Sequence, residues 1–101
     1  MLDGTYQVAA DTPLGRKSGV LVLSGFSTAA PRVRLLVRGA SATITAAEPV
    51  GADGFRATGE LRALLGRLSF TCTGTVHGDA LTCTAVTDSG TFSIIGTRRA
   101  S

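Results

Sequence analysis

The 101-residue chain predicts an all-β fold, an eight-stranded antiparallel up-and-down barrel formed by a single domain over residues 1–101. Three observations point there. Apolar and polar residues alternate with period two in segment after segment, which suits strands with one buried face and no helix. Turn-forming residues punctuate these segments at short intervals. Nearly half of the chain is apolar and only 17% is charged, so one domain of this length can bury a core but has no room for a second.

The elements follow in order. Residues 5–10 place Tyr6 and Val8 on one face, and residues 18–23 are apolar on both faces. In the third segment Val33, Leu35 and Val37 alternate with Arg32, Arg34 and Arg38, interrupted only by Leu36. In the fourth, Ala42, Ile44 and Ala46 alternate with Ser41, Thr43 and Thr45. In the fifth, Phe55, Ala57 and Leu61 alternate with Arg56, Thr58, Glu60 and Arg62. The sixth is the most regular, setting Leu68, Phe70, Cys72, Gly74 and Val76 against Arg67, Ser69, Thr71, Thr73 and Thr75. Residues 81–86, with Leu81 and Cys83, and residues 91–98, with Phe92 and Ile94, complete the set. Turn signals separate them at Pro13-Leu14-Gly15, 25–31, Gly39-Ala40, 49–54, Leu65-Gly66, His77-Gly78-Asp79 and Asp88-Ser89-Gly90. Eight strands with seven short links make a meander the economical topology.

A barrel is preferred to a sandwich of two four-stranded sheets because closure removes both unpaired edges and gathers the inward residues into one lumen. Leu14-Gly15-Arg16-x-Ser18 recurs as Leu65-Gly66-Arg67-x-Ser69, and Asp3-Gly4 near an aromatic returns as Asp53-Gly54-Phe55, the pattern of two four-stranded halves. Several inward positions are small, including Ala42, Ala57, Gly59, Cys72, Gly74, Cys83, Ala85 and Gly96, and there is no Trp. An eight-stranded barrel is just wide enough to be filled by side chains or to hold one small ligand. This inventory favours a cavity.

Gly4-Thr5-Tyr6 opens the first strand and Gly96-Thr97-Arg98 closes the last, and a closed meander makes those strands neighbours. This resembles the calycin arrangement of lipocalins and avidins, in which a Gly-x-Trp on the first strand lies near a basic side chain from the last; Tyr6 stands here for the Trp. The resemblance implies a barrel with a ligand-binding lumen. The first turn, Thr12-Pro13-Leu14-Gly15, and the second half of the chain also resemble small bacterial barrel proteins.

For catalysis the inward faces offer almost no acid, base or nucleophile, and a buried nucleophile needs a neighbouring base. The one histidine, His77, reads as a turn residue with Gly78, and one histidine with two cysteines falls short of a closed zinc set, so neither a metal nor a cofactor is expected. Tyr6 is the inward residue with a polar tip, and its hydroxyl needs a partner if buried. If His77 and Gly78 are the central turn residues, Cys72 lies directly opposite Cys83, and free thiols are expected in a reducing cytoplasm.

The net charge of +3 is dispersed, Lys17 being the one lysine, and the aromatics point inward apart from Phe26, so nucleic acid is not expected as a partner. No apolar run approaches a membrane span and no targeting segment opens the chain, which reads as cytoplasmic. Val20, Val22 and Leu36 form an outward apolar patch for a homodimer, with Val86 and Ile95 as a second surface. The expected function is binding of a small, largely apolar molecule in a lumen lined by Tyr6, Val8, Leu21, Val33, Leu35, Val37, Phe55, Ala57, Phe70 and Phe92, with any charged end kept at the mouth near Arg16, Lys17 or Asp88. The alternatives are a cofactor-free cyclase or isomerase of a bacterial natural-product pathway and a structural or protein-interaction barrel.

Overall fold

In the computed structural model, which describes residues 2–12, 15–26, 30–63 and 66–99, every regular element is a strand. The order is β1 (Gly4–Thr12), β2 (Gly15–Ser24), β3 (Arg32–Val37), β4 (Ala40–Val50), β5 (Gly54–Ala63), β6 (Gly66–His77), β7 (Ala80–Thr87) and β8 (Gly90–Arg98). Each strand pairs antiparallel with its chain neighbour except β3 with β4, and β8 returns to β1, so the sheet runs β3-β2-β1-β8-β7-β6-β5-β4. Its two edges, β3 and β4, approach one another across the Arg38-Gly39 turn without a ladder between them. The result is a nearly closed up-and-down barrel with a seam.

Period two governs the wall. In β6 the inward positions Leu68, Phe70, Cys72, Gly74 and Val76 are all buried, and of the outward residues between them Thr71 is half-buried and the others are exposed. Sixteen buried apolar residues form one core, from Leu2 and Tyr6 to Cys83 and Ala85, and among the described residues no charged or polar side chain is buried with them. The hairpins β1–β2 and β5–β6 each close on a pair across two residues, Thr12 with Gly15 and Ala63 with Gly66, the relation that two similar halves require. The turn residues Pro13, Leu14 and Leu65 themselves lie outside the described residues.

Two details of register differ from the sequence reading. The β6–β7 turn is Gly78-Asp79, with His77 paired to Ala80 as the last strand residue. A two-residue hairpin of the II′ kind needs a positive φ at its first central position, and Gly78 supplies it at φ 62°, which His77 could adopt only with strain. Cys72 therefore faces Ala85 and Cys83 faces Gly74, so the cysteines are diagonal and not directly opposite. In β4 a bulge between Ile44 and Ala46 inserts one residue, Thr45, whose hydroxyl donates to the Thr58 carbonyl at 3.0 Å. The extra residue reverses the alternation. Ala46, expected inside, is exposed, and Ala47 turns inward instead.

Candidate functional site

The barrel has a plugged end and an open end. At the plugged end, where the chain begins, Asp3 holds the β2–β3 connection by accepting the backbone N–H of Gly25 at 3.2 Å and of Phe26 at 3.1 Å. The Phe26 ring thereby meets Phe55 edge-on, centroids 6.2 Å apart, so this aromatic, expected to point away from the lumen, instead packs against the core as a half-buried stopper. Tyr6 is fully buried beneath it and its hydroxyl donates to the Leu2 carbonyl at 2.7 Å. Arg98 from β8 lies over the Tyr6 ring at 5.0 Å, donates to the Asp3 carbonyl, and reaches Asp79 at 3.3 Å. The backbone register aligns Tyr6 with Arg98, so the first and last strands meet where the sequence placed them.

Burial raises the Tyr6 pKa; the positive charge of Arg98 opposes this without cancelling it. Folding thus favours the neutral phenol. Its contribution to stability is complete below the unfolded value of about 10 and is lost as the pH rises through the higher folded value. Because Tyr6 is the one tyrosine and there is no Trp, absorbance of the phenolate reports this residue alone. The folded protein should ionise at higher pH than the chain in denaturant, and Tyr6→Phe should lack the fall in Tm that the parent shows above pH ~10.

At the other end a cavity of about 40 Å³ opens between β1, β3, β5, β6 and β8. Val8, Ala9, Ala10, Leu35, Val37 and Leu61 line it, with Phe70, Phe92 and Ile94 across from them. Thr12 and Lys17 are the two polar side chains at its margin. By a scale of ~10–15 Å³ for one water centre the space holds about three waters, well short of a drug-sized pocket. Only a slender group of a few carbons fits without movement of the half-buried Leu35, Val37, Phe92 and Ile94.

Of the ten residues expected to line the lumen, Val8, Leu35, Val37, Phe70 and Phe92 border this cavity. Tyr6, Leu21, Val33, Phe55 and Ala57 are buried in the packed half below it. Ala10, Leu61 and Ile94 border it too and are absent from that set, although parity finds them, Ala10 sharing the phase of Tyr6 and Val8; Lys17, expected at the mouth, stands at the margin with the inward phase of Leu21 and Leu23. Of the other two residues expected near a charged ligand end, Arg16 is exposed and paired with Asp11 at 3.0 Å, and Asp88 is exposed in the β7–β8 turn. Neither borders the cavity.

Cys72 and Cys83 are buried free thiols sharing a hydrogen bond, and this bond followed by burial pushes the Cys83 thiol up. Among the described residues no group of three or more His, Cys, Asp or Glu side chains could hold a metal ion. His77 is exposed at the end of β6.

The outer wall divides by charge. On β1, β8, β7 and β6 the outward residues between Asp11 and Arg67 at one rim and Arg99 at the other are uncharged when His77 is neutral, mostly Thr and Ser, with Ile95 62% and Val86 54% exposed. On β3, Leu36 is 55% exposed but stands between Arg34 and Arg38, and its neighbours Val20 and Val22 are half-buried. No helix among the described residues is long and apolar enough to cross a membrane, which leaves spanning by strands unaddressed.

The molecule is thus a small, nearly closed antiparallel β-barrel with one plugged and one open end. Comparison with protein-family models, with curated proteins and with solved structures finds no match.

Proposed function

We propose that this barrel binds a small, slender and largely apolar molecule, which enters the lumen at its open end. The observation that carries this is the cavity itself: its floor and walls are apolar, it reaches solvent at one end, and the opposite end is sealed by Phe26, Tyr6 and Arg98. The register of Tyr6 with Arg98, and the arginine lying on the ring, support a calycin-like kinship, in which a lumen of this kind holds ligand. A cytoplasmic site of action suits two buried thiols that lie side by side as free thiols.

1-Hexanol is a suitable probe. With Leu35, Val37, Phe92 and Ile94 moved aside, removing ~200 Å² of alkyl surface from water contributes about 5 kcal/mol before association costs, so a dissociation constant no tighter than ~0.2 mM is expected. Ala10 lines the cavity on β1, and Ala10→Phe fills it from the rim without disturbing the packed half. Calorimetry should show hexanol binding with a negative heat-capacity change in the parent and none in Ala10→Phe; equal binding to a folded Ala10→Phe would overturn the proposal. A cyclase or isomerase reading has less support, because the Tyr6 hydroxyl is already committed to Leu2 at the sealed end.

A second reading, self-association, is favoured by the division of charge. Two copies meeting through the Leu36 patch would bring Arg34 and Arg38 of each together, whereas the uncharged wall around Ile95 and Ala9 can meet itself without like-charge contact. We propose a homodimer through that wall. Sedimentation should give a dimer for the parent and a monomer for Ile95→Arg; a dimer that survives Ile95→Arg but dissociates in Leu36→Glu would return the interface to β3.

A further inference from the structure

Lys17 occupies an unusual place for the one lysine of a chain whose other cations are arginines. Its position in β2 has the inward phase of Leu21 and Leu23, yet it lies at the first turn of the wall, where inward means the rim of the cavity. It is half-buried there. The neighbouring Arg16 is outward and held by Asp11, but among the described residues no carboxylate pairs with Lys17. The cavity lining contains no acid at all. Across the rim Arg38, Arg62 and Arg67 add positive charge against Glu60 and Asp88.

A cation that is partly withdrawn from water and lacks a counter-charge gains from an anion that can reach it without displacing a protein carboxylate. The apolar wall begins beside it, with Ala10 its cross-strand partner on β1 and Ile94 beyond on β8, and continues one layer below with Val37. We infer that the ligand is an anionic amphiphile: a slender alkyl tail in the cavity and a single negative charge, a carboxylate, on the Lys17 ammonium at the rim. One compact ammonium with one charge suits a monocarboxylate, and a lysine on a flexible stem can follow heads set at slightly different depths. This inference rests on the lumen reading above and adds the ligand class.

Hexanoate and 1-hexanol share the tail and differ in the head, so the pair separates the two ideas. Titrated into the parent protein at pH 7 and low salt, hexanoate should bind about 5- to 10-fold more tightly than hexanol, the preference shrinking in high salt. Lys17→Gln should abolish the preference by weakening hexanoate alone, and Lys17→Arg should keep most of it. Hexanol binding with no preference for hexanoate, or a preference unchanged in Lys17→Gln, overturns the anion inference while leaving the apolar pocket standing. Failure of both ligands to bind overturns the pocket and the inference together.

Discussion

Gly74→Ala should destabilise the barrel by about 2–3 kcal/mol, lowering Tm by roughly 10–20 °C for a domain of this size. Gly74 sits inward on β6 between Phe55 of β5 and Cys83 of β7. A methyl group there would lie 2.7 Å from the Phe55 ring and closer still to the Cys83 sulfur. Glycine is what lets a fully buried phenylalanine lie across its neighbouring strand, so backbone freedom is not the issue; the missing Cβ is the space the ring occupies. The double variant with Phe55→Leu should recover part of the loss, because a smaller partner relieves the clash. Additive losses in a chemical-denaturation cycle would show that the two positions do not touch.

Arg98→Ala should cost about 2–4 kcal/mol, measured by the same denaturation. Its guanidinium bonds the Asp3 carbonyl, a charge-assisted contact of roughly 1.5–3 kcal/mol, and covers the Tyr6 ring, which adds about 0.5–2 kcal/mol. The pair with Asp79 adds little, since that carboxylate is 76% exposed. Arg98→Lys should recover only a minor part, because an ammonium cannot both lie flat on the ring and reach the Asp3 carbonyl. Loss of the bond to Asp3 should also loosen residues 25 and 26, whose amides that carboxylate holds, and hydrogen exchange there should rise in Arg98→Ala.

The fold was legible because burial and side-chain parity are the same fact in a β-barrel. Leu68, Phe70, Cys72, Gly74 and Val76 could be placed inside from the sequence, since one slip of register would expose all of them. Parity does not fix cross-strand register, which turns decide. A turn at His77-Gly78 and one at Gly78-Asp79 preserve the same inward parity but pair every β6–β7 residue differently, and with them the two cysteines. The bulge at Thr45 was similarly silent, because Ala46 and Ala47 are equally apolar and neither betrays which one faces the core.

The site was legible in part for a related reason. Val8, Leu35, Val37, Phe70 and Phe92 follow from inward parity, but parity cannot tell how far along the barrel axis a residue sits. Depth separates the cavity lining from Tyr6, Leu21, Val33, Phe55 and Ala57. It also separates Lys17, which stands at the rim, from Arg16 and Asp88, which the sequence places equally at the mouth but which do not border the cavity. The stopper formed by Phe26 depends on Asp3 bonding to amides 22 and 23 residues away, a link that no local pattern carries.

The occupancy of the open half is tested most directly by methyl-resolved NMR of the Ile, Leu and Val side chains during titration with 1-hexanol. Val8, Leu35, Val37, Leu61 and Ile94 should shift together in a saturable manner, while Leu23, Val76 and Leu81 in the plugged half stay fixed. No saturable shift, or shifts confined to the outward Val20, Leu36, Val86 and Ile95, would contradict a lumen that receives ligand.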